Sequence, residues 1–369
     1  MRVAVVGGGI AGASAAYELA GSTEVVLLER ETVCGYHSTG RSAALFTECY
    51  GDPVVRRLAI ASRGFLGDPP AGFTDTPILH PRSTLFVGTE SQHGALQHSL
   101  DEFRSLVPSV RGISGDEAVA MCSVLDKNMI VGGVFEPGAQ DIDVHALHLG
   151  YQQGVRRRGG RIVTEAEVTG LHRIGGNWEV RSDAGTHTVD VVVNAAGAWC
   201  DVVGRIAGAR AIGLVPKRRT AFTFTAPPDH ASWPMVIDVD EQWYFRPEGA
   251  QVLASPADET PMDPVDVRHD EADVALAIER LTAVTTMSIR SVDHAWAGLR
   301  SFVADHRPVN GWDPDLAGLY WLAGQGGFGI KTSPAMARFA AAMILNGEPP
   351  ADLASVGITP EVLGVERLR

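Results

Sequence analysis

The chain has 369 residues, 45% of them hydrophobic and 20% charged, with a formal net charge of −13. At roughly 150 residues per domain, this length makes about two domains with sizeable cores, and the ordinary composition excludes a disordered chain. The acidic balance, without a dense Lys/Arg cluster, excludes a general nucleic-acid binder. Only three of the 31 basic residues are lysines (Lys127, Lys217 and Lys331), so each is worth placing. The cysteines Cys34, Cys49, Cys122 and Cys200 have neither CxxC nor metal-finger spacing. They read as reduced thiols of a cytoplasmic protein without a metal site. Val3–Ala16 resembles a signal-peptide core in hydropathy, but the three consecutive glycines within it and the charged segment soon after argue against that role. No run of ~20 apolar residues implies a membrane span.

The apolar run Arg2–Val6 predicts a strand buried on both faces, followed by the turn Gly7–Gly12, a helix over Ala13–Ala20 and a strand over Thr23–Leu28. Thr84–Gly88 and Gly132–Phe135 read as strands flanking a mostly helical region at 91–125. A helix over Val144–Arg158 precedes strands at Arg161–Thr164, Glu167–Arg173, Trp178–Ser182 and Thr186–Val193. Ala221–Thr225, Met235–Asp238, Trp243–Pro247 and Gln251–Ala254 suggest an antiparallel sheet, and Asp270–Thr286 a helix. At the end come a strand over Leu319–Ala323, a glycine-rich turn at Gly324–Gly329 and a helix from Ser333 to Leu345. A strand, glycine turn and helix at each end of the chain imply one nucleotide domain built from separated segments, with antiparallel material inserted between them.

Gly7-Gly8-Gly9-Ile10-Ala11-Gly12 fits G-x-G-x-x-G. Gly7 suits the tight turn, Gly9 lets backbone approach a pyrophosphate, and Gly12 allows close helix–strand packing. The helix start offers free N–H groups to phosphate oxygens, and Glu29, closing the second strand, sits where a carboxylate meets ribose hydroxyls. Downstream, Gly35–Ser42 and Gly324–Ser333 are glycine-rich stretches of the kind that wrap a flavin, the second with Lys331 at a helix start, where positive charge stabilises a reduced flavin.

VVGGGIAGASAAYELA, VVLLER, HSTGRSAA, VVNAAGAW (Val192–Trp199), WAGLR (Trp296–Arg300) and GQGGFGIKTSPAMA (Gly324–Ala337) resemble the D-amino-acid oxidase superfamily of FAD enzymes. That superfamily includes glycine and sarcosine oxidases. Within it the sequence closely resembles bacterial D-arginine dehydrogenases, over nearly the whole chain. The resemblance implies an α/β plus α+β architecture, in which a Rossmann-type FAD-binding domain is assembled from residues 1–75, 143–205 and 296–369. A substrate domain on a mostly antiparallel sheet would use 76–142 and 206–295. It also implies non-covalent FAD held by Gly7, Gly9, Ile10, Ala11, Gly12, Glu29 and Arg30. Further FAD contacts would come from Ser38, Thr39, Arg41, Ser42 and Ala43, from Gly197, Trp199 and Arg300, and from Gly326, Gly327, Gly329, Ile330, Lys331 and Thr332.

The activity implied is oxidation of the amine of a small amino acid by hydride transfer to flavin N5, the imino acid then hydrolysing to a 2-oxo acid and ammonia. Arg219 and Arg300 match the arginines that hold the substrate carboxylate, a role suited to a planar guanidinium fork. Tyr50 and Tyr244 match two active-site tyrosines, and the carbonyl of Gly327 the acceptor for the amine. Leu45, Thr47 and Thr84 fall in the substrate pocket. The glutamate that pairs with a basic side chain in the relative is replaced by Thr84, its histidine by Leu45, and its glutamine by Lys331. Loss of a buried carboxylate would strand a cationic side chain, so a neutral D-amino acid is expected. Glu48, nearby in Thr47-Glu48-Cys49-Tyr50, would instead restore a negative site. No lysine occurs in Gln251–Ser255, which favours a dehydrogenase with a quinone or other acceptor over an oxidase using oxygen. The alternatives are a glycine/sarcosine-type oxidase, a 2-hydroxy-acid dehydrogenase, and a flavin-bearing subunit of a larger complex. A monomer or small homo-oligomer is expected, in the cytoplasm or at the inner face of the membrane.

Overall fold

A computed structural model describes all of residues 1–369. The strands Arg2–Val6, Glu24–Leu28, Arg161–Val163, Val191–Asn194 and Leu319–Ala323 form a parallel sheet, with Val309–Trp312 added antiparallel at one edge. Arg2–Val6 lies centrally, between Val191–Asn194 and Glu24–Leu28, and its valines are almost completely buried. Such strands have helices or sheet on both faces, which explains their continuous apolar sequence. On one face pack the helices Ile10–Leu19, Pro53–Gly67, Val144–Arg157 and Gly329–Asn346. Ala13, Ala15 and Ala16 of the first and Ala335, Ala337 and Ala340 of the last are wholly buried, so small side chains let these helices approach closely. The other face is covered by the helix Cys200–Ile206 and the meander Val168–Ile174, Asn177–Ser182 and Gly185–Val189.

The second large sheet has nine strands and is antiparallel except where Met235–Asp238 pairs with Thr84–Gly88. Its long members are Val215–Thr225 and His294–Phe302, paired from Val215↔Phe302 to Thr223↔His294. One face packs on the helix Glu271–Val284, while His93–Leu106 joins the core on the other. The expected single strand at 186–193 is two: Gly185–Val189 stays in the meander and Val191–Asn194 enters the parallel sheet. Asp190 marks the break, its carboxylate accepting the backbone N–H of Arg2 at 2.7 Å. Of the elements beyond those expected, two bear on the site. The helix Pro53–Gly67 begins on a standard signal, Asp52 capping the N–H of Val54 at 2.7 Å with proline following. His294–Phe302 was noticed as a motif but not as a strand, and it runs across the boundary expected at 295/296.

Candidate functional site

A deep cleft runs from the Gly7 turn, past the Gly35–Ala43 segment, to the long antiparallel strands. At one end Gly7, Gly9, Ile10, Ala11, Glu29 and Arg30 line it. Gly7 has φ of +105°, and an added Cβ would stand 2.5 Å from the Ala195 carbonyl oxygen. Gly12 does not reach the cleft. It makes the turn possible, because a Cβ there would lie 1.9 Å from the Gly7 oxygen. The helix Ile10–Leu19 starts at Gly9 with no side-chain cap and no acidic residue in its first turn. Its positive end is therefore left for an anion, only the Ile10 N–H being taken, by Thr39 Oγ1 at 3.0 Å. Glu29 accepts the N–H groups of Gly8 at 2.7 Å and Glu31 at 2.9 Å, which fixes the carboxylate and leaves further lone pairs toward the cleft.

Along the middle, Ser38, Thr39, Arg41, Ser42 and Ala43 face Gly197 and Trp199. Ser38 donates to the Leu299 carbonyl at 2.6 Å, and Arg41 donates to the Val267 carbonyl at 2.9 Å while pairing with Asp266. The segment is thus pinned to the strand His294–Phe302, at a position no local pattern announces. Arg30 lies over the Trp199 ring, 5.1 Å from its centre.

The inner end is built by strand alternation. In Lys217-Arg218-Arg219, Arg218 turns one way to Asp273 (2.8 Å), while Lys217 and Arg219 turn the other way and share Glu259, at 2.8 and 3.3 Å. Arg300 pairs with Lys217 and Gly298 with Arg219, so Arg219 and Arg300 are diagonal neighbours on one face. Arg219 is held further by the Asp258 carbonyl, 2.8 Å from Nε. Tyr244 enters from the strand Tyr244–Glu248, one strand beyond the neighbour Gln251–Ser255, with its hydroxyl near Ser255, Arg219 and Arg300. Burial would raise its hydroxyl, but Arg300 and Arg219 bring it below the usual phenol range. Gly326, Gly327, Gly329 and Ile330 close the end opposite these groups. A Cβ on Gly327 would stand 2.7 Å from the Arg300 guanidinium carbon, so the guanidinium lies directly across that backbone.

Tyr50 does not line the open cleft but stands beside it, its phenol near Arg300 and Glu241 and its ring packed on Phe328 at 5.3 Å between ring centres. Burial raises its hydroxyl, in contrast to Tyr244. Glu241, which sequence reasoning missed, is one of four non-glycine residues with positive φ, at +56°. Asp238 holds its turn, its carboxylate accepting the N–H groups of Asp240 and Gln242, each at 3.1 Å. Left-handed backbone at a non-glycine residue is costly and marks a constrained position. The turn composition was a readable signal, but not the direction of the side chain.

Five expected site residues lie elsewhere. Lys331 does not face the cleft: its ammonium turns into the protein and donates to the carbonyls of Thr47 at 2.9 Å and Tyr50 at 2.7 Å. Thr332 bonds back to the Phe328 carbonyl at 2.9 Å, as a helix-interior threonine commonly does. Leu45 packs into the apolar core behind the site, Thr47 donates to Glu136 at 2.5 Å, and Thr84 is fully buried opposite Glu136 on the paired strand. None of the three lines the cleft. Glu48 is consumed by Arg63 at 2.7 Å.

The residues fit FAD: a bare helix start and glycine turn for the pyrophosphate, a fixed carboxylate for the ribose, and a second uncapped helix start at Gly329. Gln325, also lining the cleft, keeps a buried Nε2 without a protein partner. Residues 2–343 match the family described as FAD dependent oxidoreductase (DAO). The chain belongs to this family. It is 25% identical to mouse dimethylglycine dehydrogenase, covering 95% of this chain and 43% of that protein, so it spans under half the length of that relative. It is 23% identical to glycine oxidase from Geobacillus kaustophilus over 98% of that protein, whose crystal structure superposes with a TM-score of 0.84. The L-proline dehydrogenase of P. horikoshii, 20% identical, shares the fold with a TM-score of 0.85 over 99% of this chain. No helix of the protein is long and apolar enough to cross a membrane.

Proposed function

We propose that this FAD-dependent oxidoreductase oxidises the amine of a D-amino acid with a neutral side chain, yielding an imino acid that water converts to a 2-oxo acid and ammonia. The convergence of Arg219, Arg300 and Tyr244 with the Gly327 backbone at the inner end of the cofactor cleft carries this reading. Arg219, Arg300 and Lys217 against the carboxylates of Glu241 and Glu259 leave one net positive charge, which one substrate carboxylate neutralises. Nothing is then left over to pair a cationic side chain, which supports a neutral substrate even though Glu241 stands beside the site. Bound FAD supplies the acceptor for the hydride leaving the α-carbon. The arginines and Tyr244 fix the carboxylate, and the Gly327 carbonyl receives an N–H of the amine, which orients the Cα–H bond.

The D configuration follows the motif resemblance, and the division into an FAD domain (1–75, 143–205, 296–369) and a substrate domain remains part of this proposal, as do non-covalent attachment and a cytoplasmic setting. A dehydrogenase is favoured because no lysine occurs in Gln251–Ser255. The relatives make a glycine/sarcosine-type amine the second reading. Anaerobic flavin bleaching by a panel of D- and L-amino acids, glycine, sarcosine and dimethylglycine separates these readings. Rapid bleaching by neutral D-amino acids is expected, and bleaching by none of them sinks the proposal. Peroxide released at the turnover rate in air would overturn the dehydrogenase assignment.

A further inference from the structure

One buried group in this molecule has no part in holding cofactor or substrate. Lys331 is 3% exposed, and its ammonium donates to two backbone carbonyls of the turn that carries Tyr50. From the other side Glu136, itself 1% exposed, accepts the Thr47 hydroxyl at 2.5 Å and the Glu48 N–H at 2.9 Å. The ammonium also lies 5.5 Å from the centre of the Tyr50 ring and 5.4 Å from that of Phe328. Directly after Tyr50, Gly51 takes φ of +104°, where a Cβ would stand 3.1 Å from the Phe328 ring. Within residues 47–51, one buried charge thus binds the carbonyls of Thr47 and Tyr50 and the opposite one binds the Thr47 hydroxyl and the Glu48 N–H. The Tyr50 phenol of this turn stands near Arg300.

We infer that Lys331 and Glu136 form a buried clamp that positions Tyr50 against Arg300, so that Lys331 is a positioning residue for the substrate carboxylate. This rests on the proposed reading of the site as an amino-acid carboxylate clamp. A lysine is suited to the task because a single ammonium serves two carbonyls and attracts Glu136 at once, whereas an apolar side chain of similar length would leave those groups desolvated and unpaired. The other charged or titratable groups facing the ammonium are Cys49 on the turn, Arg56 of the helix Pro53–Gly67 and Glu241 of the opposite turn. Burial brings Lys331 down to about 7, so the clamp changes charge near neutrality.

The test uses the FAD-loaded protein and acetate as a non-oxidisable carboxylate, read by perturbation of the flavin absorbance. Lys331→Met is expected to raise the acetate Kd and the substrate KM about tenfold, with a smaller change in kcat and unchanged FAD affinity, tenfold being ~1.4 kcal/mol. Lys331→Gln, which keeps two N–H donors, is expected to fall between wild type and Met. In a Tyr50→Phe background, Lys331→Met should change the Kd less than twofold, because the positioned hydroxyl is already gone. Equal fold-changes in both backgrounds, or a wild-type Kd in Lys331→Met, would overturn the clamp. Where Lys331→Met does not fold, Glu136→Gln supplies the same comparison. A wild-type flavin that responds to neither acetate nor any amino acid sinks the site reading and the clamp with it. A wild type that responds, with an unaffected Lys331 variant, sinks the clamp alone.

Discussion

The two ends of the cleft are built on opposite principles. At the nucleotide end the chain offers backbone: a glycine turn, an uncapped helix start and one carboxylate, all within residues 7–29. At the inner end it offers charged side chains from segments far apart in sequence, with Arg219 and Arg300 brought together by strand register and Glu241 and Tyr50 by turns. A pyrophosphate is common to many ligands and is met by N–H groups that every residue carries. A particular substrate is met by a charge arrangement that only this pairing of strands creates.

The contrast can be broken from either end. Gly12→Ala should have the largest effect, abolishing FAD binding, since its methyl group would overlap the Gly7 carbonyl oxygen 1.9 Å away. Purified protein lacking flavin absorbance is the expected result, and a yellow variant would show that the turn tolerates a shift. Arg300→Met should retain FAD but lower kcat/KM by about 100–1,000-fold, the ~3–4 kcal/mol expected from losing a buried charge partner. Steady-state kinetics with the flavin content measured in parallel checks this. Gly327→Ala, which displaces the same guanidinium, should cost on the order of tenfold or more in kcat/KM, with FAD retained.

Smaller effects sharpen the electrostatic side. Tyr244 is held below the ordinary phenol range and Tyr50 above it. Deprotonated Tyr244 would repel a carboxylate, so acetate affinity should weaken on an alkaline limb below about pH 10, and Tyr244→Phe should remove that limb. Lys331 provides a stability readout. Its pKa drops from 10.5 to about 7 on folding, so between those values the unfolded chain holds a proton that the folded chain has released. Stability contributed by this group is therefore lowest below pH 7 and rises with pH across that window, by at most ~1.4 kcal/mol per unit. Urea unfolding at several pH values should show a steeper rise for wild type than for Lys331→Met. Parallel slopes would mean that the ammonium stays charged when buried.

The residues recognised from sequence divide along the same line. Gly7, Gly9, Ile10 and Glu29 were legible because local spacing puts the first three on one turn and Glu29 at the end of the following strand. Arg219 was legible as a functional candidate, but its separation from Arg218 required the strand's alternation. Lys331 was expected at the flavin because it follows a glycine turn at a helix start. One position along a helix rotates a side chain by about 100°, and that rotation carried it into the protein. Thr84, in place of a relative's glutamate, reads as a missing carboxylate, yet Glu136 sits opposite it on a strand about fifty residues away, a pairing no local pattern encodes.

By itself, then, the sequence determined the parallel nucleotide-binding core, its glycine turn and the inserted antiparallel sheet. These depend on periodicity and backbone conformation, which are local properties. Tertiary structure alone decided which charges face the cleft, which are buried behind it, and that Glu241 joins the arginines. Such choices depend on register and burial between segments up to hundreds of residues apart. The three lysines show the division best: their rarity was visible at once, but only packing showed that the Lys331 ammonium turns away from the cleft to the carbonyls of Thr47 and Tyr50.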